Sequence, residues 1–401
     1  MSHSTADFLI IGGGVIGVNL ALRAKHAYPD CHVVLIEKEY DCGLHASGRN
    51  SGVLHAGFYY TADSLKSRFT RDGNQMMVEY CKERGLQLNQ CGKLVVAKDS
   101  SELAGLDELL RRAQVNGVEL HRISEQEARE IEPHVRTFET CLFSPTTASV
   151  DPGEVMRSFV QDAKDAGVEI RAGSKYLVRH GDKVRVGDDH IAARYVINAA
   201  GLYADRVARD FGFSERYRII PFKGLYLYGN ETAIQARSNI YPVPDLDNPF
   251  LGVHLTVTAQ GKVTLGPTAI PAFWREHYKG FNNFDLGELV EIAMRELGFF
   301  ASNSFGFRRL AMQEMMKYSR TRMVRLASDL VSGINGSQFD RWGPAGIRAQ
   351  LVDIRERKLE MDFCYEGDDR SFHVLNAVSP AFTCAVPFTK YLFEEIESLV
   401  S

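Results

Sequence analysis

"DFLIIGGGVIG", Asp7–Gly17, decides how the rest of the chain is read. Phe8 to Ile11 form an unbroken apolar run, the pattern of a parallel strand buried on both faces. The run ends in Gly12-x-Gly14-x-x-Gly17, with Val15 and Ile16 inside the motif, and passes into "VIGVNLALRAKHA", whose spacing predicts a helix. In such a strand–turn–helix the first glycine makes the tight turn. The second admits a pyrophosphate, and the third lets helix and strand pack closely. The helix start then offers unpaired N–H groups to the anion. A second apolar run, "CHVVLIEK", closes on Glu37 and Lys38, with Glu37 twenty residues beyond Gly17. A carboxylate at that place suits a ribose 2′-hydroxyl and repels a 2′-phosphate.

The order of the following elements separates two kinds of dinucleotide. A fold for free NAD continues with further strand–helix–strand units. Here the chain enters an irregular stretch, 41–61, and then a helix from about Ser64 to Arg84. The parallel pattern returns only later. "DPGEVMRSFVQDAKDAG" reads as a helix with Pro152 near its start and Gly167 after its end. "VEIRAG" reads as a strand, and "RYVINAAGLYAD" as a strand ending at Ala199-Ala200-Gly201. That last strand is placed to rejoin the first sheet and turn Ala200 and Gly201 toward the same crevice. A nucleotide sheet interrupted by other material fits FAD better than free NAD.

The expected fold is therefore α/β, a Rossmann-like FAD-binding domain with an interleaved antiparallel-sheet substrate domain. The expected division is 1–85, 145–215 and 335–401 for the cofactor domain, and 86–144 and 216–334 for the substrate domain. A chain of 401 residues, 45% hydrophobic and 24% charged, can bury cores of that size. A net charge of −4 gives no electrostatic reason to expect nucleic acid. "MSHSTADF" lacks a basic start before an apolar run, and no stretch is apolar for long enough to span a membrane. Seven cysteines, an odd number without a Cys-x-x-Cys pair, point to free thiols in a reducing, cytoplasmic compartment and to no metal site. Peripheral attachment at the inner membrane is left open. "PAFWREHYKG", Pro271–Gly280, mixes aromatic and basic residues; packing within the second domain is its expected role, with a membrane surface as the alternative.

The irregular stretch "GLHASGRNSGVLHAGFYY" carries the next set of candidates. Ser47, Asn50, Ser51 and Gly52 offer short side chains and accessible backbone N–H groups to a pyrophosphate, a ribityl chain or a ring edge. If the chain is extended from Val53, His55 and Tyr59 share a face across the small Gly57. His55 is then either a general base for a hydroxyl proton or a histidine hydrogen-bonded within a polar loop. His45 reads as a structural partner or a flavin contact. Residues 219–270 look like antiparallel strands, with a hairpin around Ala259-Gln260-Gly261. They set Lys223, Tyr241 and His254 among apolar neighbours. Taken singly, these read as a snorkelling lysine, an interface tyrosine and a satisfied core histidine.

In "RWGPAGIRAQLVD" the turn glycines, including Gly346, bring backbone close to a neighbour. Arg348 follows in apolar surroundings and calls for an anion, either a substrate carboxylate or a structural one such as Asp353 or Asp362. Near the end, Ser379 reads as an N-cap and Pro380 as the first residue of a helix continuing through Ala381. The positive end of that helix favours a reduced, negatively charged flavin.

The stretches "NSGVLHAGFYY", "CGKLVVA", "NIYPVPD", "PFLGVHLT", "LGPTA", "RWGPAGIRAQ" and "NAVSPA" together resemble the L-2-hydroxyglutarate dehydrogenase/oxidase family, within the D-amino-acid-oxidase-like FAD superfamily. The resemblance runs almost end to end. It implies a noncovalent FAD, oxidation of L-2-hydroxyglutarate to 2-oxoglutarate by hydride transfer to flavin N5, and a quinone, another carrier or oxygen as electron acceptor. It carries His55 and His254 over as catalytic residues, and Tyr59, Lys223, Tyr241 and Arg348 as contacts to a dicarboxylate. The chain departs from the family pattern at Arg49, where histidine is usual, and at Lys223, where arginine is usual. Lysine keeps the charge but loses the bidentate fork. The alternatives are FAD-dependent oxidation of another 2-hydroxy acid, glycerol 3-phosphate or a small amine, or a flavoprotein without turnover.

Overall fold

The apolar run of the opening motif lies in a strand, His3–Ile11, inside an eight-stranded sheet of the computed structural model, which describes residues 3–245 and 252–400. On one side it pairs in parallel with Val33–Ile36 (Phe8 beside Val33, Ile11 beside Ile36). On the other it pairs in parallel with Asp189–Asn198 (Phe8 beside Tyr195, Ile11 beside Asn198). Glu169–Arg171 extends the sheet beyond Val33–Ile36, and Ser371–Asn376 joins Asp189–Asn198, both in parallel. Leu9, Ile10, Val34 and Leu35 are fully buried. This is why the strands read as continuous apolar runs rather than alternating ones. The helix Val15–Ala27 packs against Pro152–Asp165 and against Ala381–Val400. The late return of the parallel pattern is thus as expected.

By its contacts the chain divides into two units. One comprises Met1–Arg49, Pro152–Pro221 and Arg348–Ser401, and the other Asn50–Asp151 and Phe222–Ile347. The division differs from the expected one: 50–85, 145–151 and 335–347 belong with the second unit, and 216–221 with the first. The reason is pairing between distant segments. Val53–Leu54 and Leu88–Asn89 flank Ala148–Val150 in a three-stranded sheet, and Arg341–Trp342 pairs with Leu227–Tyr228. The strands Tyr217–Gly224 and Gly346–Asp353 each carry the chain from one unit into the other.

The main sheet of the second unit runs, in order, Arg341–Trp342, Leu227–Tyr228, Val263–Gly266, His254–Val257, Asn239–Pro242, Lys93–Val96, Thr140–Ser144 and His121–Ser124. It is antiparallel as expected, apart from one parallel pair, Asn239–Pro242 with Lys93–Val96. The expected hairpin is present: Val257 lies opposite Val263, and Gly261 has φ +77°. Pro249–Leu251, the start of the expected "PFLGVHLT" strand, lie outside the described residues.

Side chains alternate across this sheet, so its registers sort them into two faces. Leu94, Val96, Ile240, Leu255, Val257, Val263 and Leu265 share one face and one core with Met323, Val324 and Ala327 of the helix Arg320–Ser328. The opposite face carries Lys93, Val95, Tyr241, His254 and Thr256. There Val95 packs with Ala56, Phe58, Tyr59 and the Leu106, Leu109 and Ala113 side of the helix Leu103–Asn116.

Two local expectations need correction. The segment after Val53 is a strand for only two residues, because Gly57 takes φ +106° and breaks the alternation. The last helix begins at Ala381. The Pro380 carbonyl accepts the first helical bond, from the Cys384 N–H at 3.1 Å, while the Ala381 N–H turns back to the Val378 carbonyl at 3.0 Å. Pro380 therefore holds the cap position expected of Ser379, and Ser379 is exposed.

Candidate functional site

In the first unit the glycine motif forms a cradle whose tightness is measurable. A Cβ on Gly12 would lie 2.5 Å from the Ala199 carbonyl oxygen, and one on Gly17 would lie 1.9 Å from the Gly12 carbonyl oxygen. The ends of His3–Ile11 and Asp189–Asn198 are tied there by the Ala199 N–H donating to the Ile11 carbonyl at 2.9 Å. Gly14, at the cap of Val15–Ala27, has no side chain to offer. Ser47 supplies the oxygen instead, accepting from the Val15 N–H at 2.9 Å. Glu37, buried at the end of its strand, accepts from the Gly13 N–H at 2.7 Å and the Glu39 N–H at 2.9 Å. A glycine-capped helix start, a glycine cradle and a carboxylate after the second strand fit a dinucleotide such as FAD. Ile16 is buried on this helix. Ala200 and Gly201 lead into a short 3-10 turn, Gly201–Tyr203, with Gly201 at φ +52°.

Lys38 is committed within the protein. Its Nζ donates to Glu39 Oε1 at 2.5 Å, and His45 Nε2 lies 2.9 Å from the same oxygen. The hydrogen bond from Lys38 holds the Glu39 carboxyl below its ordinary value, so His45 takes the role of structural partner. Cys42 was not singled out by sequence. Its Sγ would lie 2.6 Å from a Cβ on Gly13, and burial, helped by the charge of Glu37, pushes its thiol up to about 12.

The other expected cofactor contacts lie apart in the chain. Asn50, Ser51 and Gly52 belong to the second unit. Asn50 Oδ1 accepts from the Gly52 N–H at 2.8 Å, and Ser51 hydrogen-bonds the Tyr226 side chain. Gly346 opens the strand Gly346–Asp353.

The polar face of the second unit gathers four of the six expected reaction and substrate residues. His254 stacks on Tyr241 with ring centroids 3.6 Å apart and planes 17° from parallel. His254 Nδ1 lies 2.8 Å from the Gly252 carbonyl, which fixes the proton on Nδ1 and leaves a lone pair on Nε2. From the segment above come His55 and Tyr59, both buried. Burial, reinforced by the charges of Lys93 and His254, holds the His55 imidazole well below its ordinary pKa. Burial likewise takes His254 down to about 3, with Lys93 and Lys317 adding to the effect. Both rings are therefore neutral at pH 7. Burial raises the Tyr59 and Tyr241 phenols, so both stay protonated. The Tyr59 hydroxyl has no hydrogen-bond partner among the described residues.

Sequence reasoning missed Lys93. Its side chain is fully buried, with Nζ 4.6 Å from the Tyr241 ring centroid, 5.0 Å from Tyr59 and 5.3 Å from Phe58. A signal existed in "KLVV": in a strand otherwise aliphatic, Lys93 is in phase with Val95.

Lys223 and Arg348 belong to other strands. Lys223 lies on Tyr217–Gly224, opposite Ile270. Burial lowers its pKa, and its charge adds to the burial that takes His277 down to about 4. His277 stacks on Trp274 with centroids 3.8 Å apart. Arg348 is half-buried in the first unit and donates from Nε to Gln350 Oε1 at 3.0 Å. Asp353, considered above as its partner, is hydrogen-bonded by Arg216 instead.

Residues 7–385 match the FAD dependent oxidoreductase family. The human mitochondrial L-2-hydroxyglutarate dehydrogenase is 34% identical, over 99% of this chain and 89% of its own length. The L-2-hydroxyglutarate dehydrogenase of Escherichia coli strain K12 is 35% identical, over 98% of this chain and 94% of its own. The chain belongs to the FAD-dependent oxidoreductases, in their L-2-hydroxyglutarate dehydrogenase branch. Members of the wider fold are recognisable in three dimensions. L-alpha-glycerophosphate oxidase from Mycoplasma pneumoniae, solved with FAD bound, superposes with a TM-score of 0.77 at 20% identity, covering 99% of this chain and 95% of its own. Glycine oxidase from Geobacillus kaustophilus gives 0.71 at 18%, covering 98% and 95%. For an FAD-dependent oxidoreductase the glycine cradle has a direct test. Gly17→Ala would force a methyl group onto the Gly12 carbonyl. The variant is expected to purify without the yellow flavin that the parent carries, read as the ratio of flavin to protein absorbance.

Proposed function

We propose that this chain oxidises L-2-hydroxyglutarate to 2-oxoglutarate. The observation that carries the reading is the near full-length match to relatives of that name, joined to a buried face whose histidines are neutral and whose phenols are protonated. When bound, FAD accepts the hydride from C2 of the substrate. The protein's part is to take the hydroxyl proton and to hold a dianion. His55 suits the first task, because a neutral imidazole is a proton acceptor at pH 7. Its lowered pKa keeps it so as pH falls, and activity is lost only once the medium is acidic enough to charge it. His254, with Nε2 unprotonated, is the second imidazole on that face. Tyr59 and Tyr241 serve as hydroxyl donors to a carboxylate.

Two carboxylates also need cations. Lys223 is assigned to this role by its burial and its charge, and Arg348 by its place in the family motif "PAGIRAQ". A charge-assisted hydrogen bond to a carboxylate contributes about 1.5–3 kcal/mol. Lys223→Ala and Arg348→Ala are each expected to raise KM for L-2-hydroxyglutarate by roughly ten- to a hundredfold. An unchanged KM in both variants would remove the assignment.

In the absence of air, L-2-hydroxyglutarate should bleach the flavin band and its D-isomer should not. His55→Gln should slow that bleaching by about 10²–10⁴-fold while substrate still binds. Bleaching by a different 2-hydroxy acid, glycerol 3-phosphate or an amine in place of L-2-hydroxyglutarate would overturn the proposed substrate.

For the electron acceptor, the surface of the second unit favours a carrier at a lipid surface. Among the described residues no helix is long and apolar enough to cross a membrane. Within Pro271–Gly280 the reading of internal packing applies to Trp274 and Arg275, which are buried: Trp274 Nε1 donates to the Asn282 carbonyl at 3.0 Å. The helix Leu286–Ser302 nevertheless leaves Leu286, Val290, Met294 and Leu297 exposed at helical spacing, and Phe281 is 83% exposed. Exposed apolar stripes of this kind mark interaction surfaces. The chain should therefore co-sediment with phosphatidylglycerol–phosphatidylethanolamine vesicles. A Met294→Asp, Leu297→Asp double variant should remain in the supernatant while its flavin is still bleached at the parental rate.

A further inference from the structure

Lys93 has no part in the reaction as derived above, yet its surroundings are costly for an amine. It projects from the polar face of the sheet, in phase with Tyr241 on the adjacent strand and with His254 on the strand beyond. Its Nζ has no hydrogen-bond partner among the described residues. What surrounds it is a cup of three aromatic rings, those of Tyr241, Tyr59 and Phe58. Ring faces favour an ammonium by their quadrupoles, and burial opposes it. Burial brings the amine down to about 7, with Cys91 the one group acting in the other direction.

The titratable groups that bear on this cluster are His55, His254, Tyr59, Tyr241 and Cys91, with Tyr60 and Tyr226 acting on the phenols and Lys317 on His254. Burial raises Cys91 and both phenols, so none of them is an anion at neutral pH. Below about pH 7, where the amine is protonated, the ammonium therefore acts on the two imidazoles with no anion among these groups to offset it.

We propose that Lys93 is a positioning residue for the base: its buried ammonium, held against the Tyr59 and Phe58 rings of the segment that carries His55, keeps that imidazole in the form able to take the hydroxyl proton. The idea rests on the reading of His55 given above. Solvent and salt screen buried charges poorly, so the repulsion between ammonium and imidazolium persists at physiological ionic strength. A dianionic substrate changes this balance. Its carboxylates offset the ammonium when it binds, and the imidazole regains basicity at the stage when it has to accept the proton. Lys93 would thus hold the base uncharged before binding and release it afterwards.

The test compares Lys93→Met with Lys93→Arg in the flavin-loaded enzyme. The rate of anaerobic flavin reduction by L-2-hydroxyglutarate is followed over pH 5–9, and 15N-histidine NMR follows the ring of His55. In Lys93→Met the acidic limb of kcat/KM and the His55 titration should both move up by about one pH unit. In Lys93→Arg, where the charge is retained, both should stay in place. If Met leaves both unmoved, or if Met and Arg shift them equally, the proposal is wrong. Should His55→Gln reduce its flavin at the parental rate, the assignment of the base fails, and the NMR titration still decides the coupling between Lys93 and His55. Should Lys93→Met not accumulate as folded protein, the parent protein decides: a His55 midpoint at or above 6.5, the ordinary histidine value, overturns the proposal.

Discussion

The first unit depends on the closeness of one backbone to another. A methyl group at Gly17 would lie 1.9 Å from the Gly12 carbonyl oxygen, a separation that no side chain tolerates. This contact lets the helix Val15–Ala27 start directly beneath the end of its strand and face its N-terminus toward the ends of neighbouring strands. The same approach brings Ala199 against the turn, so the late strand Asp189–Asn198 contributes to the cradle as much as the first does. Only glycine fits at these positions for steric reasons, and the requirement precedes any consideration of ligand.

The second unit solves a different problem with a period of two. One face of its sheet is an aliphatic core. The other carries the imidazole of His254, the phenol of Tyr241 and the amine of Lys93, and the segment after Val53–Leu54 adds the imidazole of His55 and the phenol of Tyr59, all largely out of water. Burying so many polar groups is unfavourable unless they are neutral or paired. The structure uses both means. His254 is paired with the Gly252 carbonyl, the imidazoles have lost their protons, and the phenols have kept theirs. Neutrality at pH 7 is here a direct result of desolvation, and it is also the state that proton abstraction requires.

Local signals were legible in the sequence, and distant pairings were not. The helix after the glycine motif runs over the same thirteen residues that its spacing predicted, because turn, apolar run and cap are neighbours along the chain. His55, Tyr59, Tyr241 and His254 were identified through the motifs that contain them, and they come together on one face. The part played by Ser47 at the helix start, 32 residues from Val15, has no local signature. Nor does the pairing of Val53–Leu54 with Ala148–Val150, which moved the unit boundary. Lys93 was hidden because one lysine in an aliphatic strand reads as a strand end. The electrostatic effect of Lys223 on His277, some fifty residues further on, likewise has no local signature.

The interleaving of the two units sets the order in which the protein can be made. The parallel sheet of the first unit draws strands from residues 3–11, 33–36, 169–171, 189–198 and 371–376, and its first helix packs against 381–400. A chain leaving the ribosome therefore presents the strands at 3–11 and 33–36 long before the strand at 371–376 and the helix at 381–400 that complete their unit. Such high contact order slows folding and lengthens the interval in which unpaired strand edges invite aggregation. The second unit, formed from 50–151 and 222–347, can finish before residues 348–401 have been synthesised. Loss of those residues would leave the dinucleotide fold without its closing strand and helix.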